Sequence, residues 1–211
     1  MPARDSSSGM KNISRVLLAS SNEGKLREFR RMAAGSAVEF DLLPNFLSLP
    51  AFEESAPTFS ENSAGKALHY SQFSGEIVLA DDSGLVVPAL NGAPGVQSAR
   101  YAGPNATDAD RVKKLLIALQ EFTAEQRRAR FICVISLAQR GRAIAVVSDF
   151  VAGLIAAKPQ GAHGFGYDPV FFSPELGRTF AEASEVEKNH ISHRGKAFHR
   201  VLALLQISQI L

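Results

Sequence analysis

Two adjacent aspartates, Asp81 and Asp82, are the residues of this sequence best suited to chemistry. They follow the apolar run 77–80 and precede a Ser-Gly turn, so we predict that a strand ends at two carboxylates. Such a strand does not need two acids to fold, whereas a Mg²⁺ site needs hard carboxylate oxygens on a rigid element. A solvated acidic turn is the alternative, and the pair alone leaves both open.

A polar loop near the start of the chain offers groups that suit an anion. It lies between the β-like run 15–20 and a helical pattern over 25–32. The N-terminus of such a helix presents free N–H groups to a phosphate. The loop lacks the glycine spacing of a Walker A motif, and a capped helix with a surface lysine is the alternative. The candidate phosphate contacts are Ser20, Ser21, Asn22, Glu23, Gly24 and Lys25.

A second acidic segment precedes the aspartates in a proline-flanked loop. We expect this loop, which carries Glu53 and Glu54, to fold over the end of the 77–80 strand, where one of the two glutamates and Asp82 would give Mg²⁺ two protein ligands. That number leaves positions for water and phosphate oxygens, which Mg²⁺ prefers. Lys66, in a helix that we predict over 60–73, would point toward the same cleft. A solvated helix face is the alternative for these residues taken singly.

Aromatic and basic side chains come together in the C-terminal third. Residues 165–168 read Phe-Gly-Tyr-Asp, where glycine beside an aromatic ring lets a flat base stack on it. Residues 188–196 supply hydrogen-bond donors, and zinc is disfavoured there because basic neighbours would repel it. A core aromatic and a solvated helix start are the alternatives. The candidate residues are Phe165, Gly166, Tyr167, Asp168, Lys188, His193 and Arg194.

The whole chain has 211 residues and a formal charge of +2, from 23 basic and 21 acidic residues. This near balance argues against binding to nucleic acid or a membrane. Its single cysteine, Cys133, excludes an internal disulfide framework and a multi-cysteine zinc site. No secretory signal or membrane span is evident, so we expect a cytoplasmic protein. We expect a disordered tail over 1–13 and a single domain over 14–211.

Strands that alternate with helices, followed by a hairpin, predict an α/β protein with a mixed sheet. The hairpin joins apolar runs through residues 139–142, and the glycine- and proline-rich segment 91–103 is predicted as a long loop. A Thr-x-x-Asp pattern at 107–110 predicts a capping box. The remaining predicted elements are strands over 15–20, 38–43 and 77–80 and a C-terminal helix over 193–205.

Together these segments resemble the inosine/xanthosine triphosphate pyrophosphatase family, also called Ham1-like. The resemblance covers about residues 15–205 and rests on the order and spacing of four signatures. These are the 20–25 loop with Glu28-Phe29, residues 61–67 followed by 79–85, residues 92–103, and residues 165–169 with 188–197. It implies an elongated mixed sheet with helices on both sides, two lobes around a nucleotide cleft, and a homodimer.

The resemblance also implies roles for individual residues. Asp82 would be the general base and a metal ligand, Glu54 the second Mg²⁺ ligand, and Phe165 the stacking ring for a purine. Contacts to the triphosphate or its metal would come from Ser20, Asn22, Lys25, Lys66 and Ser83. Asp168, Lys188, His193 and Arg194 would complete the pocket, with the cationic donors facing the 6-keto oxygen of hypoxanthine or xanthine.

The implied reaction is Mg²⁺-dependent hydrolysis of ITP, dITP and XTP to the monophosphate and pyrophosphate, which removes these nucleotides from the pool. A first alternative is a Maf-like pyrophosphatase acting on modified pyrimidine nucleotides, which the basic stretch 192–196 argues against. A second is a nucleotide- or RNA-binding module without turnover. The metal dependence of ligand binding separates this second alternative from the enzymes. Acidic side chains near phosphates favour binding only when a metal ion lies between them.

Overall fold

The structure is a computed structural model that describes residues 14–207. The tail predicted for residues 1–13 and the last residues, 208–211, lie outside the described part. Across the described residues, no helix has both the length and the apolar character needed to cross a membrane.

Within residues 14–207, one mixed sheet of seven strands forms the centre of the fold. Its strands are β1 (Ser14–Leu18), β2 (Val38–Leu42), β3 (Ile77–Val86), β4 (Arg128–Gln139), β5 (Arg142–Ile155), β6 (Phe171–Ser173) and β7 (Arg178–Thr179). Their spatial order is β2-β1-β3-β4-β5-β6-β7. The first strands pair in parallel because helices connect them, and the later strands pair antiparallel. The predicted mixed sheet is therefore confirmed.

Five helices surround this sheet in the described part of the chain. They are α1 (Glu23–Met32), α2 (Phe59–Tyr70), α3 (Asp108–Ala118), α4 (Glu185–Ile191) and α5 (His193–Ile207). Helix α2 begins before the predicted position because Thr58, whose side chain accepts the N–H of Glu61, is its cap. The predicted capping box at α3 is confirmed, with Thr107 and Asp110 bonded reciprocally.

Helices cover both faces of the parallel end of the sheet, as predicted. On one face, Phe29 of α1 and Phe198 of α5 pack with their ring centroids 5.0 Å apart, above apolar residues of β1 and β2. On the other face, Ala67 and Tyr70 of α2 pack against alternate residues of β1 and β3. Because side chains alternate along a strand, each strand here supplies both cores.

The long β4–β5 hairpin extends the sheet into a second lobe. Arg140 and Gly141 both have positive φ, which matches a type I′ turn and confirms the predicted hairpin. Beyond the region of α2, these strands pack with α3 and Phe171 of β6 in a separate apolar cluster. The polar segments predicted to do chemistry line the cleft between this cluster and the parallel end of the sheet.

Candidate active site

Asp81 and Asp82 lie in the middle of β3 rather than at its end, so the predicted strand end was wrong. The strand continues to Val86 because β4 pairs with it antiparallel throughout, and Asp82 stands opposite Val134. Successive side chains of a strand point to opposite faces. The two carboxylates therefore meet different helices.

Asp81 is the centre of a buried ion cluster on the face covered by α1 and α5. Its carboxylate accepts from Lys25 Nζ at 2.8 and 3.0 Å and lies 3.5 Å from Arg194 Nη2, and Asp81 is only 2% exposed. Burial alone would raise the pKa of Asp81, but these two cations outweigh it and hold that pKa well below its usual range. Asp81 is thus a permanent anion that fixes two cations.

Asp82 faces α2 and has the opposite environment. Burial, and then repulsion by Glu54, raise the pKa of Asp82 to about 6. One carboxylate oxygen, Oδ2, is buried and accepts no hydrogen bond, while Oδ1 accepts the N–H of Ser83 at 3.0 Å. A carboxylate with a raised pKa and a free oxygen in a cleft is a candidate for proton transfer or metal binding.

Lys66 connects the second acidic segment to this strand, as predicted. Its Nζ forms an ion pair with Glu54 and donates to the backbone carbonyl of Asp81 at 2.8 Å. Burial would lower the pKa of Lys66, but Asp81 and Glu54 outweigh it and raise that pKa, so the lysine stays charged. Glu54 and Asp82 therefore lie on the same side of the strand, beside one buried cation.

These two carboxylates fit a hard divalent cation. The unpartnered oxygen of Asp82 and its repulsion by Glu54 are both relieved by a dication, which favours oxygen ligands. Within residues 14–207 no group of three or more His, Cys, Asp or Glu side chains forms a complete metal cage. The arrangement suits Mg²⁺, which is commonly held by one or two carboxylates together with substrate phosphates and water.

The loop before α1 forms one wall of the cleft. Asn22 caps the helix by accepting the N–H of Lys25 at 3.1 Å, and the Ser20 hydroxyl accepts the N–H of Asn22 at 3.0 Å. Ser20, Ser21, Asn22 and Lys25 line the cleft, as predicted. Gly24 lines an adjoining hollow instead, and Glu23 lines neither.

An exposed aromatic ring lies in the opposite wall of the cleft. Phe165 is 53% exposed and stands between two glycines with positive φ, while its backbone N–H donates to Asp168 at 2.9 Å. Lys188 Nζ lies 4.8 Å from the ring centroid and also forms an ion pair with Asp168. An open ring edged with cations suits a flat, electron-rich ligand.

Arg194 joins the two walls. Its guanidinium lies 5.4 Å from the Phe165 ring centroid, donates to Glu28 at 3.1 Å and donates to the Ser83 hydroxyl at 3.3 Å. Its Nε is buried and has no partner, so one donor remains for a ligand. The structure thus brings Ser83 and Arg194, predicted from distant segments, into contact.

His193, which the sequence indicated as a hydrogen-bonding residue of the pocket, carries no charge in the structure. It is buried and stacks on Phe131 with ring centroids 4.8 Å apart. Burial, with Arg194 and Lys188 nearby, places the pKa of His193 well below its usual value, so the ring is neutral at pH 7. It still lines the cleft, and its buried Nδ1 has no partner.

Two charged residues of the cleft, Asp108 and Arg111, were missed by the sequence analysis. The Asp108 carboxylate accepts the N–H of Gly166 at 2.7 Å and forms an ion pair with Arg111, which also donates to the Ala99 carbonyl at 2.9 Å. The only signal in the sequence was their position in the first turn of α3, which is typical of ordinary helix ends.

The complete cleft has a volume of about 440 Å³, which suits a small-molecule ligand. All predicted site residues apart from Glu23 and Gly24 line it. They are Ser20, Ser21, Asn22, Lys25, Glu54, Lys66, Asp82, Ser83, Phe165, Gly166, Tyr167, Asp168, Lys188, His193 and Arg194.

Known proteins are similar to this chain in sequence over most of its length. The dITP/XTP pyrophosphatase of Geobacillus kaustophilus is 48% identical over 88% of this chain and 91% of its own length. That of Bacillus licheniformis is 44% identical over 90% of this chain and 97% of its own length.

Solved structures agree with the sequence comparison. A HAM1 protein from Coxiella burnetii matches with a TM-score of 0.83 and 42% identity, covering 92% of this chain and 98% of that one. The Ham1 protein of Staphylococcus aureus matches with a TM-score of 0.83 and 38% identity, covering 92% and 100%. The Ham1 family model matches residues 16–204. The chain belongs to the Ham1 family.

Proposed function

We propose that this protein hydrolyses ITP, dITP and XTP to the nucleoside monophosphate and pyrophosphate, and so removes deaminated purine nucleotides from the pool. Its relatives are named dITP/XTP pyrophosphatases. One observation carries the proposal: the carboxylates Asp82 and Glu54 face the same cleft as the exposed, cation-edged ring of Phe165. Such a cleft can hold a triphosphate at one end and a base at the other.

Mg²⁺ is the cofactor proposed for this site, held by Glu54 and Asp82. When bound, it would offset phosphate charge and polarise an attacking water. The free oxygen of Asp82 and the repulsion between Asp82 and Glu54, which a dication would relieve, support this assignment. The coordination would be completed by substrate and water oxygens.

Asp82 is the proposed general base. Burial and repulsion by Glu54 raise the pKa of Asp82 to about 6 in the metal-free protein, which makes it a stronger base than an ordinary aspartate. Its buried position beside Lys66 keeps the carboxylate fixed while the α-phosphorus is attacked. Proton acceptance by Asp82 and cleavage of the α–β anhydride bond yield the monophosphate and pyrophosphate.

Lysines supply the fixed positive charge that the leaving pyrophosphate needs. Lys25 at the start of α1 and Lys66 of α2 approach the aspartates from opposite faces of β3. Asp81 holds Lys25 in place by its ion pair. Charges positioned before the reaction stabilise the transition state without reorganisation.

Base selection is proposed to come from donors near Phe165. Lys188 and Arg194 edge the ring, and both donate to acceptors such as the 6-keto oxygen of hypoxanthine or xanthine. Adenine presents an amino donor at that position, which offers these donors no acceptor and is therefore disfavoured. The neutral His193 adds a ring nitrogen that can donate or accept.

Three further proposals follow from the family resemblance and the substrate. We propose a homodimer, which light scattering would test by finding twice the mass of one chain. We propose action in the cytoplasm, where nucleoside triphosphates are used. The formal charge of +2 continues to argue against a nucleic-acid ligand.

Product analysis tests the reaction directly. Incubation of ITP in water enriched in ¹⁸O should place one label in IMP and none in the released pyrophosphate, because attack is at the α-phosphorus. Release of IDP and inorganic phosphate, or label in pyrophosphate, would contradict the proposed reaction.

A further inference from the structure

The segment Gly95–Arg100, here called the bracket segment, is a short 3-10 helix that lies against β3. The Ser98 hydroxyl accepts the N–H of Leu85 at 2.9 Å and donates to the Gly95 carbonyl at 2.6 Å. A Cβ at position 84 would lie 2.4 Å from the Ser98 hydroxyl oxygen, so Gly84 permits this approach. The bracket segment is therefore fixed to the strand that carries the aspartates.

The bracket segment also holds the loop that carries the stacking ring. The hydroxyl of Tyr167, two residues after Phe165, donates to the Ser98 carbonyl at 2.9 Å in a buried position. The neighbouring Ala99 carbonyl accepts from Arg111, whose partner Asp108 holds the same loop. Two routes thus join the bracket segment to the base end of the cleft.

At the metal end, Arg100 holds the loop that carries Glu54. Its Nη2 donates to the backbone carbonyl of Glu54 at 2.9 Å, and its Nε donates to the Gln97 side chain, which orients the guanidinium. Ala56, two residues after Glu54, is held by the side chain of Asn62. The Ala56 N–H donates to Asn62 Oδ1 at 3.0 Å, and the Ala56 carbonyl accepts from Asn62 Nδ2 at 3.2 Å. The loop is therefore held at Glu54 itself and two residues after it.

We infer that the bracket segment positions both ends of the cleft, with Arg100 placing the metal ligand Glu54 and Ser98 placing the Phe165 loop through Tyr167. The inference rests on the proposed metal site. Arg100 does not line the cleft, so its role is to position another residue. Its side chain is exposed, and its removal leaves the core intact.

The role of Arg100 at the metal end is tested by titrating the protein with Mn²⁺ in the absence of nucleotide. The electron paramagnetic resonance signal of free Mn²⁺ measures how much of the ion remains unbound. Arg100→Gln should weaken Mn²⁺ affinity about threefold to tenfold, the value of one lost hydrogen bond, and Arg100→Lys should recover part of it. Lys114→Gln is the matched control, because Lys114 donates to the next residue, Tyr101, at 2.7 Å without touching the Glu54 loop. It should bind Mn²⁺ as wild type does.

Glu54→Gln separates failure of this inference from failure of the proposed metal site. If Glu54→Gln loses Mn²⁺ affinity while Arg100→Gln keeps it within twofold, the positioning role of Arg100 is overturned. If Glu54→Gln binds Mn²⁺ like wild type, Glu54 is no ligand, and the inference falls together with the metal site.

The base half is tested by Tyr167→Phe, which removes only the hydroxyl that reaches Ser98. The KM for ITP should rise about threefold to tenfold, while Mn²⁺ affinity stays at the wild-type value. A wild-type KM in the folded variant would overturn the positioning of the Phe165 loop by the bracket segment.

Discussion

Asp81 and Asp82 are neighbours with the same side chain, yet their surroundings assign them opposite tasks. Asp81 is ionised and forms ion pairs with Lys25 and Arg194. Asp82 has a raised pKa because it is buried beside Glu54, and one of its oxygens has no hydrogen-bond partner. The alternation of side chains along β3 produces this difference, because one faces α1 and α5 and the other faces α2. The first is expected to serve stability and the second catalysis.

Replacing Asp82 should separate catalysis from folding. Asp82→Asn keeps the size of the side chain but cannot accept a proton from water, so kcat for ITP should fall about 100-fold or more. Circular dichroism should show an unchanged fold. A folded variant with a near-normal kcat would place the base elsewhere.

Replacing Asp81 should have its main effect on stability. Asp81→Asn leaves Lys25 and Arg194 without their buried anion, and such a loss costs about 3 kcal/mol or more of the free energy of unfolding. Urea unfolding in EDTA measures this loss in the free energy of unfolding, with Asp82→Asn as the matched control. Equal stability of the two variants would contradict the assigned roles.

The raised pKa of Asp82 predicts a pH dependence of stability in EDTA. Its folded value of about 6 lies above the ordinary 3.8, so the folded protein binds the proton more tightly than the unfolded chain. Ionised Asp82 thus lowers stability above pH 6, and this penalty disappears as the pH falls from 6 toward 4. Wild type should gain stability relative to Asp82→Asn over that range. A difference that does not change with pH would refute the raised pKa.

At the residue scale, the sequence indicated most of the side chains that line the cleft, but it missed Asp108 and Arg111 and did not predict charge states. Residue types and spacing indicated Lys66 and Arg194, and the family resemblance indicated Glu54; all three line the cleft. The neutral state of His193 depends on its stacking against Phe131, a contact between distant segments. No local sequence pattern predicts such a contact.

At the element scale, the junction of α4 and α5 decides where Arg194 lies. Gly195 allows these helices to approach closely, since a Cβ there would lie 1.7 Å from the Asn189 carbonyl oxygen. Ser192 closes α4 by donating its N–H to the Lys188 carbonyl at 2.8 Å, and the next residue begins α5. The sharp junction places residues 193 and 194 at the cleft.

Gly195→Ala should therefore disturb the active site from a position outside it. The added methyl group would push α5 away from α4, so we expect a loss of at least about 2 kcal/mol in the free energy of unfolding. The KM for ITP should rise as Arg194 moves. Gly75→Ala is the control, because a Cβ at position 75 meets nothing within 4 Å. Equal effects of the two substitutions would contradict the packing argument.

Elements with a strong local signal were predicted well. The β4–β5 hairpin follows from two apolar runs around Arg140-Gly141, and the α3 cap follows from Thr107 and Asp110. The length of β3 was not predicted, because two carboxylates inside a strand are stable only where cations from other elements meet them. The bracket segment was predicted only as loop, since the hydrogen bonds that fix it to Leu85, Tyr167 and Glu54 join residues distant in sequence.

At the scale of the whole molecule, the mixed sheet places two chemically different groups of residues at the two ends of one cleft. The parallel end presents helix starts and lysines suited to phosphates, and the lobe beyond presents the ring of Phe165. Arg194 of α5 touches both groups of residues, because it donates to Ser83 of β3 and lies over the ring of Phe165. Catalysis and base selection are therefore expected to depend on how the two ends are held together.

The most direct test of this account measures pyrophosphate release from ITP, XTP, dITP, GTP, ATP and dTTP, each with Mg²⁺ and with EDTA, using wild type and Asp82→Asn. The account predicts fast release from ITP, XTP and dITP, little from ATP, and loss of release in EDTA or in the variant. Release that persists in EDTA, a preference for dTTP, or no release from any nucleotide would contradict it.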